Sequence, residues 1–118
     1  MRIEFFLKIK TVSEMNSRSH WATRYRRIKV HNVAAYLGTL NAMRGHRLTS
    51  DRFKITLTRI GIKSMDSDNL ASSQKGVRDG IAKAIRIDDG DDRLTWIYKQ
   101  EKAKRVECGV RVEIENAK

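Results

Sequence analysis

Residues 63–92 concentrate the acidic side chains of an otherwise basic chain. Seven of the 14 Asp and Glu residues fall in these 30 positions, although the formal net charge of the chain is +11. Carboxylates held this close repel one another unless a cation lies between them. Asp66 and Asp68 precede Asn69, and a second acidic group follows about twenty residues later. The sequence therefore predicts a helix that folds back between the two groups and lets them meet at one hard cation.

Oxygen donors of this kind suit Mg²⁺, with Mn²⁺ as an alternative ion. Mg²⁺ typically takes one or two carboxylates, keeps several waters and completes its octahedral shell with substrate phosphate. We therefore expect a site that cuts phosphodiesters. The alternative is structural: one of the two aspartates caps a helix, and Lys75 and Asp79 form an i,i+4 ion pair on its surface. Capping accounts for one of Asp66 and Asp68 but not for both.

The positive charge lies mainly in the first half of the chain. Residues 1–60 contain 13 Lys and Arg against three acids, whereas residues 61–118 contain 12 against 11. A basic surface beside an acidic pocket suits an enzyme that acts on nucleic acid. A protein that coats an anionic membrane is disfavoured, because the pattern lacks a basic amphipathic helix with a large apolar face. The residues expected to contact nucleic acid are Asn16, Arg18, Arg24, Arg26, Arg27 and Lys29.

The single cysteine, Cys108, excludes an intramolecular disulfide and a thiolate zinc site, which indicates a reducing compartment. The first ten residues carry charges throughout and lack the uninterrupted apolar region of a signal peptide. No stretch approaches the roughly 20 apolar residues that span a bilayer. We therefore expect a soluble, cytoplasmic protein. Cys108 falls among the apolar positions of a predicted strand, so we expect it in the core.

Alternation of apolar and polar residues predicts strands at residues 2–10, 53–60, 94–99 and 106–114. Helical spacing predicts a first helix over residues 22–44, ended by Gly45. Its expected core face comprises Val30, Val33, Ala34, Leu37 and Leu40. A second helix is predicted over residues 68–86, with Leu70, Val77, Ile81 and Ala84 inward. A charged hairpin loop around EKAKR is expected to join the last two strands.

The predicted element order is strand, helix, strand, helix, strand, strand. This order favours an α+β (mixed α/β) fold, a four-stranded mixed sheet with both helices on one face. The clean alternation in the strands indicates that the other face is open. The length of 118 residues suits one domain over residues 1–118.

The segment DSDNL at Asp66, followed by Lys75, Asp79 and IDDGD, resembles the RusA-type Holliday junction resolvases (crossover junction endodeoxyribonucleases). These are small homodimeric Mg²⁺-dependent endonucleases of phages and bacteria. The resemblance implies a RusA-like domain that resolves four-way DNA junctions in recombination and repair, in a bacterial or phage-infected cell. It also implies a homodimer, for which Phe6 and Trp96 are candidate uncovered apolar side chains.

By the same resemblance, Asp66, Asp68 and Asp89 are the catalytic, metal-binding carboxylates. Lys75 is a supporting catalytic cation, and Asn16 belongs to the rim of the site. Asp88 and Asp91 are alternatives to Asp89, and Asp79 is a further acid. The expected reaction is metal-assisted hydrolysis that leaves a 5′ phosphate and a 3′ hydroxyl. A second function class stays open, namely a non-catalytic basic nucleic-acid-binding protein whose aspartates are helix caps and solubilising charges.

Overall fold

The computed structural model describes residues 2–12, 21–46 and 51–117. The strands are β1 (Arg2–Leu7), β2 (Phe53–Gly61), β3 (Leu94–Lys102) and β4 (Gly109–Asn116). The helices are α1 (Trp21–Ala42), α2 (Ser67–Ser73) and α3 (Lys75–Ile85), and a short 3-10 turn, Arg105–Glu107, precedes β4. The fold is α+β with one four-stranded mixed sheet, as predicted. In the described residues, no helix is long and apolar enough to cross a membrane.

The strand order across the sheet is β1-β4-β2-β3. β4 runs antiparallel to both β1 and β2, whereas β3 runs parallel to β2. The predicted hairpin between the last two strands is therefore wrong, because β2 lies between them. The helices α2 and α3 carry the chain from the end of β2 back to the start of β3, and such a crossover places the returning strand parallel to the first.

The sheet has one buried face and one open face, as the alternation predicts. The buried side chains include Phe53, Ile55 and Leu57 from β2 and Val110, Val112 and Ile114 from β4. The open face carries ion pairs between strands, two of them between neighbours and one, Arg111 to Glu101, across β2. They join Arg2 to Glu113 at 2.8 Å, Lys54 to Glu115 at 3.0 Å and Arg111 to Glu101 at 2.9 Å.

The helix α1 has nearly the predicted bounds, and Gly45 follows it with φ at 78°. Its core face, however, differs from the prediction. Val30, Val33, Leu37 and Leu40 are exposed, Ala34 is half-buried, and the buried residues are His31, Ala35 and Thr39.

Close packing between α1 and α3 explains which α1 residues are buried. Gly76 and Gly80 of α3 approach the α1 backbone so closely that a Cβ on Gly80 would collide with the carbonyl oxygen of Asn32. Small side chains fit this approach, and branched aliphatic ones do not. The aliphatic residues that recur at helical spacing therefore lie on the outward face of α1.

The predicted second helix is two helices. The helical conformation is interrupted at Gln74, which is fully buried with φ at −99° and ψ at 8°. Arg86, in the left-handed conformation at φ 67°, ends α3. The predicted inward residues Leu70, Val77, Ile81 and Ala84 are all buried.

The end of the predicted last strand also differs from the structure. Cys108 precedes β4 and is half-buried, with its thiol 3.6 Å from the carbonyl oxygen of Lys104, so it is not a core residue. Val106 lies in the 3-10 turn and is 72% exposed. The strand begins at Gly109, where a Cβ would meet the Phe6 ring and the Leu7 carbonyl oxygen.

Candidate functional site

The two acidic groups flank the crossover between β2 and β3. Asp66 and Asp68 follow the end of β2, at the start of α2, whereas the segment from Asp88 to Asp92 follows α3 and leads into β3. The end of β2 and the start of β3 lie at opposite ends of the sheet because these strands are parallel. The two acidic groups can therefore come close to each other only if the helices and loops that carry them extend along β3.

Asp66 is the N-cap of α2. Its Oδ1 accepts a hydrogen bond from the Asn69 backbone N–H at 2.9 Å. Asp68 lies in the first turn of α2 with its side chain exposed, where the helix dipole favours a negative charge. Capping uses one carboxylate oxygen of Asp66, and both the Asp66 and the Asp68 side chains are exposed at the start of α2.

The Gln100 side chain fixes the start of this segment. Its Nε2 donates to the Met65 carbonyl oxygen at 2.7 Å, and its Oε1 accepts from the Met65 N–H at 2.9 Å. These two hydrogen bonds attach the residue before Asp66 to β3, near the C-terminal end of that strand. The sequence pattern gave no sign of this attachment, because it joins residues 35 positions apart.

Asp91 and Asp88 stabilise the turn before β3. The Oδ1 of Asp91 accepts from the Arg93 backbone N–H at 2.9 Å, and its carboxylate accepts two further hydrogen bonds from the guanidinium at 3.1 and 2.9 Å. These hydrogen bonds from Arg93 lower the pKa of Asp91 to about 2. Asp88 accepts from the Gly90 N–H at 3.1 Å. Asp91 is therefore paired within its own loop.

Asp89 is held by Arg78 of α3, a residue that sequence reasoning did not select. The Arg78 Nε lies 3.1 Å from Asp89 Oδ2, an ion pair whose angle does not meet that of a hydrogen bond. The same guanidinium donates to the Tyr98 hydroxyl at 2.8 Å and to the Asp89 carbonyl oxygen at 3.0 Å. A cation that used Asp89 would have to displace Arg78.

Trp96 completes this cluster. The Arg78 guanidinium carbon lies 5.0 Å from the Trp96 ring centroid, and the indole N–H donates to the Asp89 carbonyl oxygen at 2.9 Å. Trp96 is half-buried against the core, contrary to the expectation that the sheet leaves it uncovered. Phe6, the other expected interface residue, is 47% exposed.

Lys75 and Asp79 form the i,i+4 pair of the structural alternative, at 3.6 Å. Lys75 opens α3, after the break at Gln74. Asp79 lines a shallow groove at the other end of α3, together with Asp88, Asp89, Lys83 and Arg86. Three predicted acids thus line that groove, and Asp66 and Asp68 are not among its lining residues.

A preassembled three-carboxylate centre is not observed. Across residues 2–12, 21–46 and 51–117, no group of three or more His, Cys, Asp and Glu side chains could hold a metal ion. The β3 positions that hold the two acidic segments, Trp96 and Gln100, are four residues apart, roughly 13 Å along a strand. Mg²⁺ needs only one or two carboxylates besides water and phosphate. Asp66 and Asp68 are two carboxylates exposed at the surface, whereas Asp89 is paired with Arg78.

A basic groove lies between the end of β1 and the first turns of α1. Its cations are Lys8, Lys10, Arg26 and Arg27, and its apolar floor includes Ile9 and Val30. The Lys10 carbonyl oxygen accepts a hydrogen bond from His31 Nε2 at 2.9 Å, which joins the segment after β1 to α1. We call this surface the basic groove.

The basic groove includes two of the predicted nucleic-acid contacts and two residues that were missed. Arg26 and Arg27 line it, Arg24 and Lys29 lie on the same helix, and Asn16 and Arg18 fall outside the described residues. Lys8 and Lys10 were missed because they were assigned to the outward face of a strand. The strand ends at Leu7, and both lysines follow it.

The groove and the Asp66–Asp68 pair lie at the same end of the sheet. That end carries the C-terminal ends of β1, β2 and β3, and Arg59 near the end of β2 donates hydrogen bonds to Thr11 at 3.1 Å and to the Lys63 carbonyl oxygen at 2.7 Å. Lys63 precedes Asp66 by three residues. This end of the sheet therefore carries both the basic groove, beside β1, and the Asp66–Asp68 pair, attached to β3 at the opposite edge.

Comparison with known proteins adds no relative to this description. The chain matches no protein-family model, no curated protein and no solved structure.

Proposed function

We propose that the chain is a Mg²⁺-dependent endonuclease (Mn²⁺ as an alternative ion) that acts as a homodimer and hydrolyses DNA phosphodiesters at four-way junctions. The observation that carries the proposal is the position of the Asp66–Asp68 pair. It lies at the sheet end that also bears the basic groove, and Gln100 attaches it to β3. The resemblance of the DSDNL segment to RusA-type resolvases gives the reaction and substrate class.

The chain's own residues have separate tasks in this proposal. Lys8, Lys10 and Arg26 neutralise backbone phosphates, which accounts for most sequence-independent affinity for DNA. Asp66 and Asp68 supply oxygen donors at the surface, next to the strand so bound. When bound there, Mg²⁺ supplies Lewis acidity toward a phosphoryl oxygen and a water molecule. Asp89 joins these acids only in a conformation in which Arg78 has released it.

A non-catalytic nucleic-acid-binding protein is the second candidate. It is favoured by the intramolecular partners of the acids: Asp66 caps α2, and Asp79, Asp89 and Asp91 pair with Lys75, Arg78 and Arg93. Such partners account for the acidic groups without catalysis. The two candidates differ in what neutralising Asp66 or Asp68 does.

The test compares the junction affinity in EDTA with the rate of cleavage in Mg²⁺ for Asp66→Asn and Asp68→Asn. Asparagine keeps the shape and caps a helix nearly as well as aspartate, so folding should persist. Cleavage should fall by about 100-fold or more, whereas affinity should stay equal or rise slightly because a repelling charge is gone. Asp51→Asn, which removes an exposed charge beside the opposite end of β2, is the matched control. Full cleavage by both site variants would exclude Asp66 and Asp68 as the metal site, and no cleavage by the unmodified chain in Mg²⁺ would exclude the enzyme.

A further inference from the structure

The first two turns of α1 carry the two most exposed aromatic side chains of the described residues, Trp21 (71% exposed) and Tyr25 (61%). They are four residues apart, so they lie on one face of the helix with their Cβ atoms roughly 5–6 Å from each other. We call them the aromatic pair. Trp and Tyr are enriched at binding surfaces, because a flat ring offers a large contact area beside a polar group. The aromatic pair is therefore a candidate binding surface.

The other Trp and Tyr side chains have partners within the fold. Trp96 packs against the core, and the guanidinium carbon of Arg78 lies 5.0 Å from its ring centroid. Tyr36 packs with Lys83 at 4.9 Å, and the Tyr98 hydroxyl accepts a hydrogen bond from Arg78 at 2.8 Å. All three rings are half-buried. Packing within the fold accounts for these rings, whereas it leaves most of the aromatic pair exposed.

The aromatic pair lies within a run of cations. Arg24, Arg26 and Arg27 occupy the same two turns, Lys29 follows them, and α1 contains no acid. The Arg26 Nε donates to the Ala22 carbonyl oxygen at 3.3 Å, which holds this guanidinium beside the first turn. Exposed rings among cations suit a ligand that has both flat aromatic faces and negative charge, as a nucleic acid strand does.

The start of α1 extends beyond the helix that packs against it. The carbonyl oxygen of Ile28 lies against Gly76, so α3 begins beside the end of the second turn of α1. The Asn32 carbonyl oxygen lies against Gly80 one turn later. Tyr25 precedes Asn32 by seven residues, about two turns, and shares its flank of the helix. The aromatic pair thus lies on the flank of α1 that meets α3, before α3 begins to cover it.

The aromatic pair is not the edge of a broad apolar face. Val30 follows Trp21 by nine residues, or two and a half turns, and therefore lies on the opposite side of the helix. An interfacial membrane helix places its rings and aliphatic side chains on one face. The separation of Trp21 from Val30 therefore favours a nucleic acid strand over a lipid surface.

The state of the bases decides which DNA such rings can contact. In a duplex each base face is already covered by its neighbours, whereas the bases of a single strand can be splayed out and stacked on aromatic side chains. Duplex DNA would therefore contact the cations of α1 but not the faces of its rings.

We propose that the aromatic pair stacks on unpaired bases of single-stranded DNA, while the cations of α1 and of the basic groove bind the phosphates of the same strand. The groove shares Arg26 and Arg27 with these turns and lies on the flank toward β1. The strand crosses the start of α1, with phosphates on the groove side and bases on the side of the aromatic pair.

This specificity rests on the proposed function only in its purpose. At a four-way junction the strands leave the duplex stack at the branch point, so a stacking surface would distinguish that point from continuous duplex. The stacking itself is measured without metal, and its result does not depend on cleavage.

The first experiment measures binding of the full chain to a labelled oligothymidylate of about 16 nucleotides in EDTA, by fluorescence anisotropy. Trp21→Ala and Tyr25→Ala should each weaken binding by about 5-fold or more, because each removes stacking on one base. The slope of log affinity against log salt concentration should not change, since no charge is removed. Affinity for a duplex of the same length should stay within about twofold of the unmodified chain, because its base faces are covered.

Two further variants serve as controls. Trp21→Phe keeps a flat ring and should retain most of the affinity for the single strand. Val106→Ala, at a residue that is exposed outside α1, should bind both DNAs as the unmodified chain does. Alanine is the best helix former, so the circular dichroism spectra of the Trp21→Ala and Tyr25→Ala proteins should show that α1 persists.

The second experiment removes the bases and keeps the rings. A strand of the same length built entirely from abasic units keeps the phosphates but has no faces for stacking. The unmodified chain should bind it about 5-fold or more weakly than oligothymidylate, whereas the double Trp21→Ala, Tyr25→Ala variant should bind the two nearly equally. Oligothymidylate should also quench the tryptophan fluorescence of the unmodified chain, and Trp21→Phe, which keeps Trp96, should lose that quenching.

Equal weakening of single-strand and duplex binding by the alanine variants would overturn the proposal. So would unchanged single-strand affinity of both variants, or equal affinity of the unmodified chain for the abasic strand and oligothymidylate. Binding to anionic vesicles that requires the rings, without a preference for strands that have bases, would also overturn it. Stacking without junction cleavage would support the proposal and count against the enzyme, whereas cleavage without stacking would do the reverse.

Discussion

Asp89 and Asp91 lie two residues apart and have different surroundings. Asp91 accepts three hydrogen bonds from Arg93 within its own turn, whereas Asp89 is held from another element by Arg78. The resemblance to RusA-type resolvases allowed either residue to be a metal ligand. The local pairing of Asp91 makes it the weaker candidate, because a bound cation would have to replace three hydrogen bonds.

The pH dependence of Asp91→Asn tests this assignment. Because the folded-state pKa of Asp91 is lowered to about 2, its carboxylate stabilises the fold at neutral pH. That contribution is present above the pKa of the unfolded chain and is lost as the pH falls toward the folded-state value. Asparagine keeps an acceptor for the Arg93 N–H but loses the charge.

The urea midpoint of Asp91→Asn should therefore lie below that of the unmodified chain at pH 6, and the two should converge near pH 2. Cleavage by the variant should be close to unmodified. A difference in urea midpoint that does not change with pH would contradict the structural role of Asp91. Loss of cleavage with unchanged stability would instead indicate that Asp91 is a metal ligand.

The partners of the acids explain what sequence reasoning could and could not predict at this scale. Asp66, Asp68, Asp88 and Asp89 are recognisable because their spacing is local. Gln100 holds Met65, beside Asp66, from 35 positions away, and Arg78 holds Asp89 from 11 positions away. Nothing in a local pattern connects such residues. The sequence therefore predicted which acids are candidates but not which of them already have partners.

At the scale of elements, the strands could be predicted because apolar and polar residues alternate along them, as the two faces of the sheet require. The face of α1 was predicted wrongly because the close approach of α3 determines which residues are buried there. His31 and Ala35 lie against Gly76 and Gly80 of α3 and are buried, whereas Leu37 is 57% exposed. The strand order depends on which strands pair, and alternation within one strand does not report its neighbours.

Gly80→Ala tests the helix contact. Alanine in place of glycine ordinarily stabilises a helix interior by about 1 kcal/mol. Here the added Cβ would collide with the Asn32 carbonyl oxygen and lie 2.9 Å from the Ala35 Cβ. We expect a net loss of about 1–3 kcal/mol in the free energy of unfolding, as for other overpacked cores.

The measurement is urea unfolding of Gly80→Ala beside Gly90→Ala. At Gly90 an added Cβ would meet only the Asp88 carboxylate at 3.9 Å, and φ is not positive, so that variant should be close to neutral. A Gly80→Ala protein as stable as the unmodified chain would show that α1 and α3 can separate, and that their close approach does not determine which face of α1 is buried.

At the scale of the whole molecule, charge is divided between the two ends and the open face of the sheet. The basic groove and the Asp66–Asp68 pair share one end, and the groove that contains Asp79, Asp88 and Asp89 lies toward the other. Arg2, Lys54 and Arg111 of the open face are paired with glutamates. If net charge alone attracted DNA, the phosphate backbone could bind at any part of the surface. Because the charges are divided in this way, we expect the phosphate backbone to follow the basic groove.

The salt dependence of DNA binding distinguishes a path through the groove from general attraction. Each cation that neutralises a duplex phosphate contributes about 0.9 to the slope of log affinity against log salt concentration. Changing both Lys8 and Lys10 to alanine should therefore flatten that slope by roughly 2.

The matched control changes Lys54 and Lys99 to alanine. It removes the same amount of charge from the open face and should leave the slope nearly unchanged. The measurement is duplex affinity in EDTA from about 50 to 200 mM salt. Equal flattening by both double variants would mean that net charge alone attracts DNA, and an unchanged slope for the Lys8 and Lys10 variant would place the phosphate path elsewhere.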